Sequence, residues 1–133
     1  VLCLDADFAT GCSTAVDLAP DRNGVVLSLA CLSAFTVTLG LDATDALMRA
    51  LRTGDIRAVL AEHDQRGRIL LGIRPHPLPG PRAEDVQDAP MELELHLSQW
   101  YRVRLVFSRT RTTELLDHLT DARAQLTTPR PRS

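Results

Sequence analysis

The sequence predicts a single α+β domain, a mainly antiparallel sheet with helices on one face. Three observations carry this expectation. Residues 25–41 alternate apolar with polar or small residues over a distance too long for one strand. The same alternation returns 66 positions later, where Val25, Leu27, Leu29, Cys31, Phe35, Val37, Leu39 and Leu41 are answered by Met91, Leu93, Leu95, Leu97, Tyr101, Val103, Leu105 and Phe107. Each run then enters a segment with apolar residues at helical spacing. Two β-hairpin-plus-helix units, about 25–54 and 91–127, would pack their helices on one side of the sheet with approximate two-fold symmetry inside the chain.

Taken in order, residues 1–4 can start a strand and residues 15–18 a second short one, with turn-rich sequence around them. Asp21-Arg22-Asn23-Gly24 is a turn signal before the first long alternating run. A three-residue loop at Leu32-Ser33-Ala34 pairs Cys31 with Phe35, Leu29 with Val37, Leu27 with Leu39 and Val25 with Leu41, all on one face. In the second run a loop at Ser98-Gln99-Trp100 pairs Leu97 with Tyr101, Leu95 with Val103, Leu93 with Leu105 and Met91 with Phe107. It also sets Glu94 against Arg104 and His96 against Arg102 on the opposite face. A slip of one residue would bring Leu95 opposite Arg102, so this register is well specified.

The first helix is expected behind an Asp42 N-cap, with Ala43, Ala46, Leu47, Ala50 and Leu51 as its stripe and Gly54 as its stop. The second opens at Ser108 or Thr110, carries Leu115, Leu116, Leu119, Ala122 and Leu126, and ends before Pro129. Leu47 corresponds to Leu115, an offset of 68 rather than 66, which a two-residue insertion at the second strand-to-helix joint would explain. Between the units, Ile56, Val59, Leu60 and His63 have helical spacing behind Asp55 and favour a short helix, although Asp64-Gln65-Arg66-Gly67 also looks like a turn between strands. A strand over 68–74 follows. Five prolines make 75–90 an extended surface loop, and 129–133 a disordered tail.

At 133 residues and 44% hydrophobic content the chain suits one core, a single domain over 1–128. All fifteen basic residues are Arg, against seventeen acidic ones, for a net charge of −2. These arginines are scattered among carboxylates, so the composition reflects a GC-rich genome and not a strongly basic nucleic-acid binder. The chain opens on Val1, compatible with a GTG start, a trimmed chain or an excerpt. Asp5 and Asp7 stand where a signal peptide needs positive charge and an apolar run, and the 17 residues of 25–41 alternate as a strand does, so a soluble cytoplasmic protein is expected. Cys3, Cys12 and Cys31 are odd in number and lack C-x-x-C spacing, which predicts free thiols.

Chemistry-bearing motifs are sparse. His63-Asp64 and Asp117-His118 are neighbours in sequence, and neighbours on a helix point about 100° apart, so neither makes a catalytic pair. Gly11-Cys12-Ser13 has no identifiable base. Neither G-x-x-x-x-G-K-[ST] nor G-x-G-x-x-G occurs, and no His or Cys spacing suits a metal. No catalytic residue, cofactor or metal site is therefore expected.

Interaction residues are easier to nominate. Trp100 stands in a hairpin turn, either folding back over the core or anchoring a partner, and Arg102, Arg104, Arg109 and Arg111 follow it. Thr53-Gly54-Asp55-Ile56-Arg57, then Gly67-Arg68-Ile69-Leu70-Leu71-Gly72-Ile73, with the Tyr101 to Phe107 strand, resemble segments of the small sporulation and septation regulators of streptomycetes. In that family the strand resembling Tyr101 to Phe107 precedes the Gly-Asp segment, whereas here it follows, so no family is assigned. The expected function is a non-catalytic interaction or regulatory protein, homodimeric or bound to an unidentified protein partner, with Trp100 and the four arginines at the contact. The alternatives are a nucleic-acid-binding module on the same Arg and aromatic surface, and a small-ligand domain or enzyme with an unrecognised pocket.

Overall fold

Among the described residues eight strands and two helices follow one another as β1 (Leu2–Asp7), β2 (Ser13–Leu18), β3 (Gly24–Ala30), β4 (Ala34–Gly40), α1 (Leu41–Thr53), β5 (Arg57–His63), β6 (Gly67–Pro75), β7 (Met91–His96), β8 (Tyr101–Phe107) and α2 (Arg109–Thr127). The computed structural model describes residues 2–7, 12–30, 34–75 and 90–127, with 2–7 and 127 described through their backbone alone. The expected loop over 75–90 lies outside these residues except at its two ends, and the expected tail at 129–133 and the inward placement of Cys31 lie wholly outside them.

The strands form one sheet in the order β1-β8-β7-β6-β5-β4-β3-β2. β1 runs parallel to β8 and every other neighbouring pair is antiparallel. Odd-numbered residues of β3 to β8 point to one face, where Leu27, Leu39, Leu71, Ile73, Leu93, Leu105 and Phe107 are fully buried. Leu47 and Leu51 of α1 and Leu115 and Leu119 of α2 pack into the same core. The α+β class, with both helices on one face of a mainly antiparallel sheet, is the one expected from the sequence.

Chain connectivity bends this sheet. Laid flat, eight strands separate the outermost two by seven spacings of ~4.8 Å, about 34 Å. Asp7 and Ser13 end and begin those two strands, and six residue steps of ~3.5 Å reach only about 21 Å. The sheet must therefore curl about its helices. In agreement, α2 meets β8 near one edge and β2 and β3 at the other. Arg22 of the β2–β3 turn donates from Nη2 to the Gln125 carbonyl at 2.8 Å, and Arg123 of α2 pairs with Asp45 of α1 at 2.8 Å.

The second hairpin has the expected register, Met91↔Phe107 through His96↔Arg102. The first is displaced by two residues: Leu29 faces Phe35, Leu27 faces Val37 and Val25 faces Leu39. A shift of two preserves which face each side chain occupies, so the core is unchanged, and Leu41 opens α1 instead of closing β4. The offset of 68 consequently begins in β4, and the two-residue difference lies in the hairpin turns, not at a strand-to-helix joint. The joints themselves match. Thr44 Oγ1 donates to the Gly40 carbonyl at 2.8 Å, and Thr112 Oγ1 donates to the Ser108 carbonyl at the same distance.

Three further expectations are corrected. α1 is preceded by Gly40 as N-cap with no side-chain cap, not by Asp42, whereas Ser108 Oγ does cap α2 by accepting from the Arg111 N–H. Residues 57–63 form a strand, not a helix: Val59, Ala61 and His63 face the core, and the turn after them is set by Gly67 at φ 74° and by His63 Nδ1, which accepts from the Gln65 and Arg66 N–H groups. Cys12 is not a free thiol but is disulfide-bonded, to a cysteine outside the described side chains.

Candidate functional site

The candidate surface is the sheet face that carries no helix. Even-numbered residues of β5 to β8 line it, and the ladder brings them into rows. Leu60 faces Leu70, and Leu70 faces His96, which faces Arg102; Gly72 faces Glu94, which faces Arg104, which faces Asp5; Arg74 faces Glu92. The face is thus part apolar and part charged. Leu60 and Leu70 are exposed beside each other, and Ile56 is exposed just before β5.

The charged part is a closed network. Glu92 is only 1% exposed although it points away from the core, because side chains from both neighbouring strands lie over it. Arg74 of β6 donates to it from Nε, and Arg104 of β8 holds its other oxygen at 3.3 Å. Glu94, one step along the same face, meets His96 Nε2 at 2.8 Å, Arg102 Nη1 at 3.5 Å and Arg104 Nε at 3.6 Å. The hydrogen bond and negative charge of Glu92 raise the Arg74 pKa further above its ordinary value. Among the described side chains three guanidinium groups meet two carboxylates, so charges of both signs interlock and the carboxylates are engaged with cations.

Two depressions open on this face. β4 and β5 pair only at Val37↔His63 and Thr38↔Glu62, and where they part a cleft of about 380 Å³ forms between Thr38, Gly40, Leu60, Ala61, Glu62 and Arg68. A smaller one of about 150 Å³ lies beside Gly72, whose missing side chain leaves room between Ile56, Arg74, Glu94 and His96. Both are shallow, and neither gathers a nucleophile, a base and an orienting group. Among the described residues no group of three or more His, Cys, Asp or Glu is placed to hold a metal ion.

The five nominated residues fall into three places. Trp100 is 65% exposed in the β7–β8 turn, its N–H donating to Ser98 Oγ at 3.2 Å, so it does not fold back over the core. Beside it, Arg66 of the β5–β6 turn lies over the Tyr101 ring at 5.7 Å. Arg102 and Arg104 belong to the ion network on the helix-free face. Arg109 and Arg111 begin α2 at the far end of β8, seven residues and roughly 24 Å from Trp100, and Arg111 pairs with Glu114 at 3.0 Å. Trp100 thus stands in the turn just before β8, Arg102 and Arg104 lie on the helix-free face of that strand, and Arg109 and Arg111 lie apart. Sequence reasoning missed Arg74 and Glu92, whose association depends on the β6–β7 pairing, and missed Leu60 and Leu70, which helical spacing had assigned to different elements.

Compared with protein-family models, with curated proteins and with solved structures, the chain matches none. No helix among the described residues is long and apolar enough to cross a membrane.

Proposed function

We propose that this chain is a non-catalytic interaction protein, homodimeric, which presents its helix-free sheet face and Trp100 to a protein partner. The observation that carries this reading is the exposed Trp100 at the end of a face that also exposes Leu60, Leu70 and Ile56. A large ring left in water in a turn is a typical interface anchor. Apolar side chains flanked by charges of both signs suit a protein surface better than a polyanion, which favours a concentrated basic groove. A nucleic-acid module remains the second reading, because Arg66, Arg68 and Arg102 lie near the ends of the two turns around Trp100. It requires binding of a single-stranded oligonucleotide that weakens steeply with salt, and absent or flat binding at low salt removes it.

Native mass spectrometry of the untagged protein tests the leading reading. A dimer without added mass supports it, whereas a monomer carrying nucleotide, metal or metabolite mass overturns it. Trp100→Ala separates the roles of the ring: an interface anchor loses partner binding with unfolding free energy changed by less than about 0.5 kcal/mol, as expected for an exposed position. The Cys12 disulfide, of a kind that persists chiefly in oxidising compartments, counts against a cytoplasmic location. Thiol titration of freshly isolated protein tests the compartment.

A further inference from the structure

We infer that two copies of the chain join edge to edge at β2, antiparallel about Ala15, into one continuous sheet. This rests on the homodimeric reading above and assigns its seam. Among the described residues β2 is an outermost strand, paired only with β3. Ala19 donates to the Gly24 carbonyl, so the odd-numbered residues of β2 make the ladder to β3 and the even-numbered ones direct their N–H and C=O groups outward. Leu18 N–H is taken by the Asp17 carboxylate at 3.2 Å. Among the described residues the outward N–H groups of β2 left for a neighbour belong to Thr14 and Val16.

Edges of this kind are usually blunted by Lys, Pro or a bulge. Ser13-Thr14-Ala15-Val16-Asp17-Leu18 contains neither Lys nor Pro, and all six residues pair in unbroken register with β3. The strand is also self-complementary, and one register pairs both outward residues within the strand itself. Centred on Ala15, it sets Thr14 against Val16 of the second copy twice over, giving four backbone hydrogen bonds from the four residues that offer them. It sets Asp17 against the second copy's Ser13, a hydroxyl facing a carboxylate. Centred on Val16, the pairing would need the Leu18 N–H that Asp17 already holds, and centred on Asp17 it would oppose two like charges. α2 packs beneath β2, so the two copies of this helix would flank the seam and add apolar contact to the hydrogen bonds.

Two substitutions test the seam. Val16→Pro removes an outward N–H in each copy without removing a β2–β3 bond. The dimer dissociation constant, from sedimentation velocity, should rise on the order of 10- to 100-fold for two lost bonds. The circular dichroism spectrum should stay native. Ala15→Cys places two cysteines across the symmetry axis at cross-strand spacing, and mild oxidation should give a covalent dimer, which Ala58→Cys on β5 should not. A dimeric wild type whose Ala15→Cys variant cross-links no better than Ala58→Cys overturns the seam and leaves the homodimer standing. Wild-type protein that stays monomeric up to ~100 μM, far above a useful dissociation constant, overturns both. If Val16→Pro unfolds, the cysteine comparison decides alone.

Discussion

Burial is distributed unevenly in the Glu92 network, and this predicts which member is costly to lose. Glu92 is 1% exposed, while the side chains of Arg74 and Arg104 are 45% and 32% exposed. Replacing both arginines by Met keeps side chains over the carboxylate but removes its partners, and a buried charge stripped of its partners costs about 3–5 kcal/mol. The cluster lies at the surface, so the lower figure is expected. Glu94 keeps Arg102 and His96 in that variant and adds little. Replacing Glu92 by Met instead leaves two arginines able to turn toward water and puts an apolar side chain in a closed space, so the change should stay within about 1 kcal/mol. Urea unfolding separates the two: with an m-value near ~2 kcal/mol/M, the Arg74→Met/Arg104→Met midpoint falls by about 1.5 M and the Glu92→Met midpoint by less than about 0.5 M. Equal losses would refute the argument, because they would show the carboxylate contributing as much net stability as its partners. The outcome also bears on function, since arginines that serve to cover Glu92 are poorly placed to meet a ligand.

Two backbone predictions come from the first hairpin and its helix. A Cβ on Gly24 would lie 2.1 Å from the Leu39 carbonyl oxygen, so Gly24→Ala must displace a central ladder and should cost more than about 2 kcal/mol, whereas Gly40→Ala meets nothing within 4 Å and should be neutral within about 1 kcal/mol; thermal unfolding of the pair checks this. Thr44 and Thr112 are both buried with their hydroxyls on carbonyls at the strand-to-helix joints, so Thr44→Val and Thr112→Val should each cost about 1 kcal/mol by urea unfolding.

Some of this architecture was legible because local chemistry allowed one solution. In the second hairpin the arginines and glutamates of one face forbade any slip that moved them into the core, and the observed register is the expected one. The first hairpin carried no charge between 25 and 41, so a shift of two residues changed nothing the alternation could detect. β5 was misread because Leu60 is exposed on the helix-free face and Ala61 is a weak marker of the buried one, which together imitate a helical period. The turn at 64–67, with its glycine at positive φ, held the better information. For the candidate site, Trp100 was readable as an exposed turn residue, but the Arg74–Glu92 contact joins residues 18 positions apart through a strand pairing across the segment 76–89. The Cys12 disulfide escaped for a related reason: an odd cysteine count says nothing about which two positions the sheet brings together.

The proposed edge pairing at β2 would also give the helix-free face a role that one copy cannot supply. The two-fold axis through Ala15 stands perpendicular to the sheet there, so the α1 and α2 layers of both copies lie on one face of the continuous sheet. Both sets of Leu60, Leu70 and Trp100 then lie on the other. β5 and β6, which carry Leu60 and Leu70, are separated from β2 in the sheet order by β3 and β4, so pairing at the β2 edge would not pair with them. A partner with two matching sites would make its second contact intramolecularly, and such linkage can raise avidity by about 10²- to 10⁴-fold without any new contact. On this proposal affinity would come from repetition across the seam, with the ion network around Glu92 setting charges of both signs beside the apolar residues.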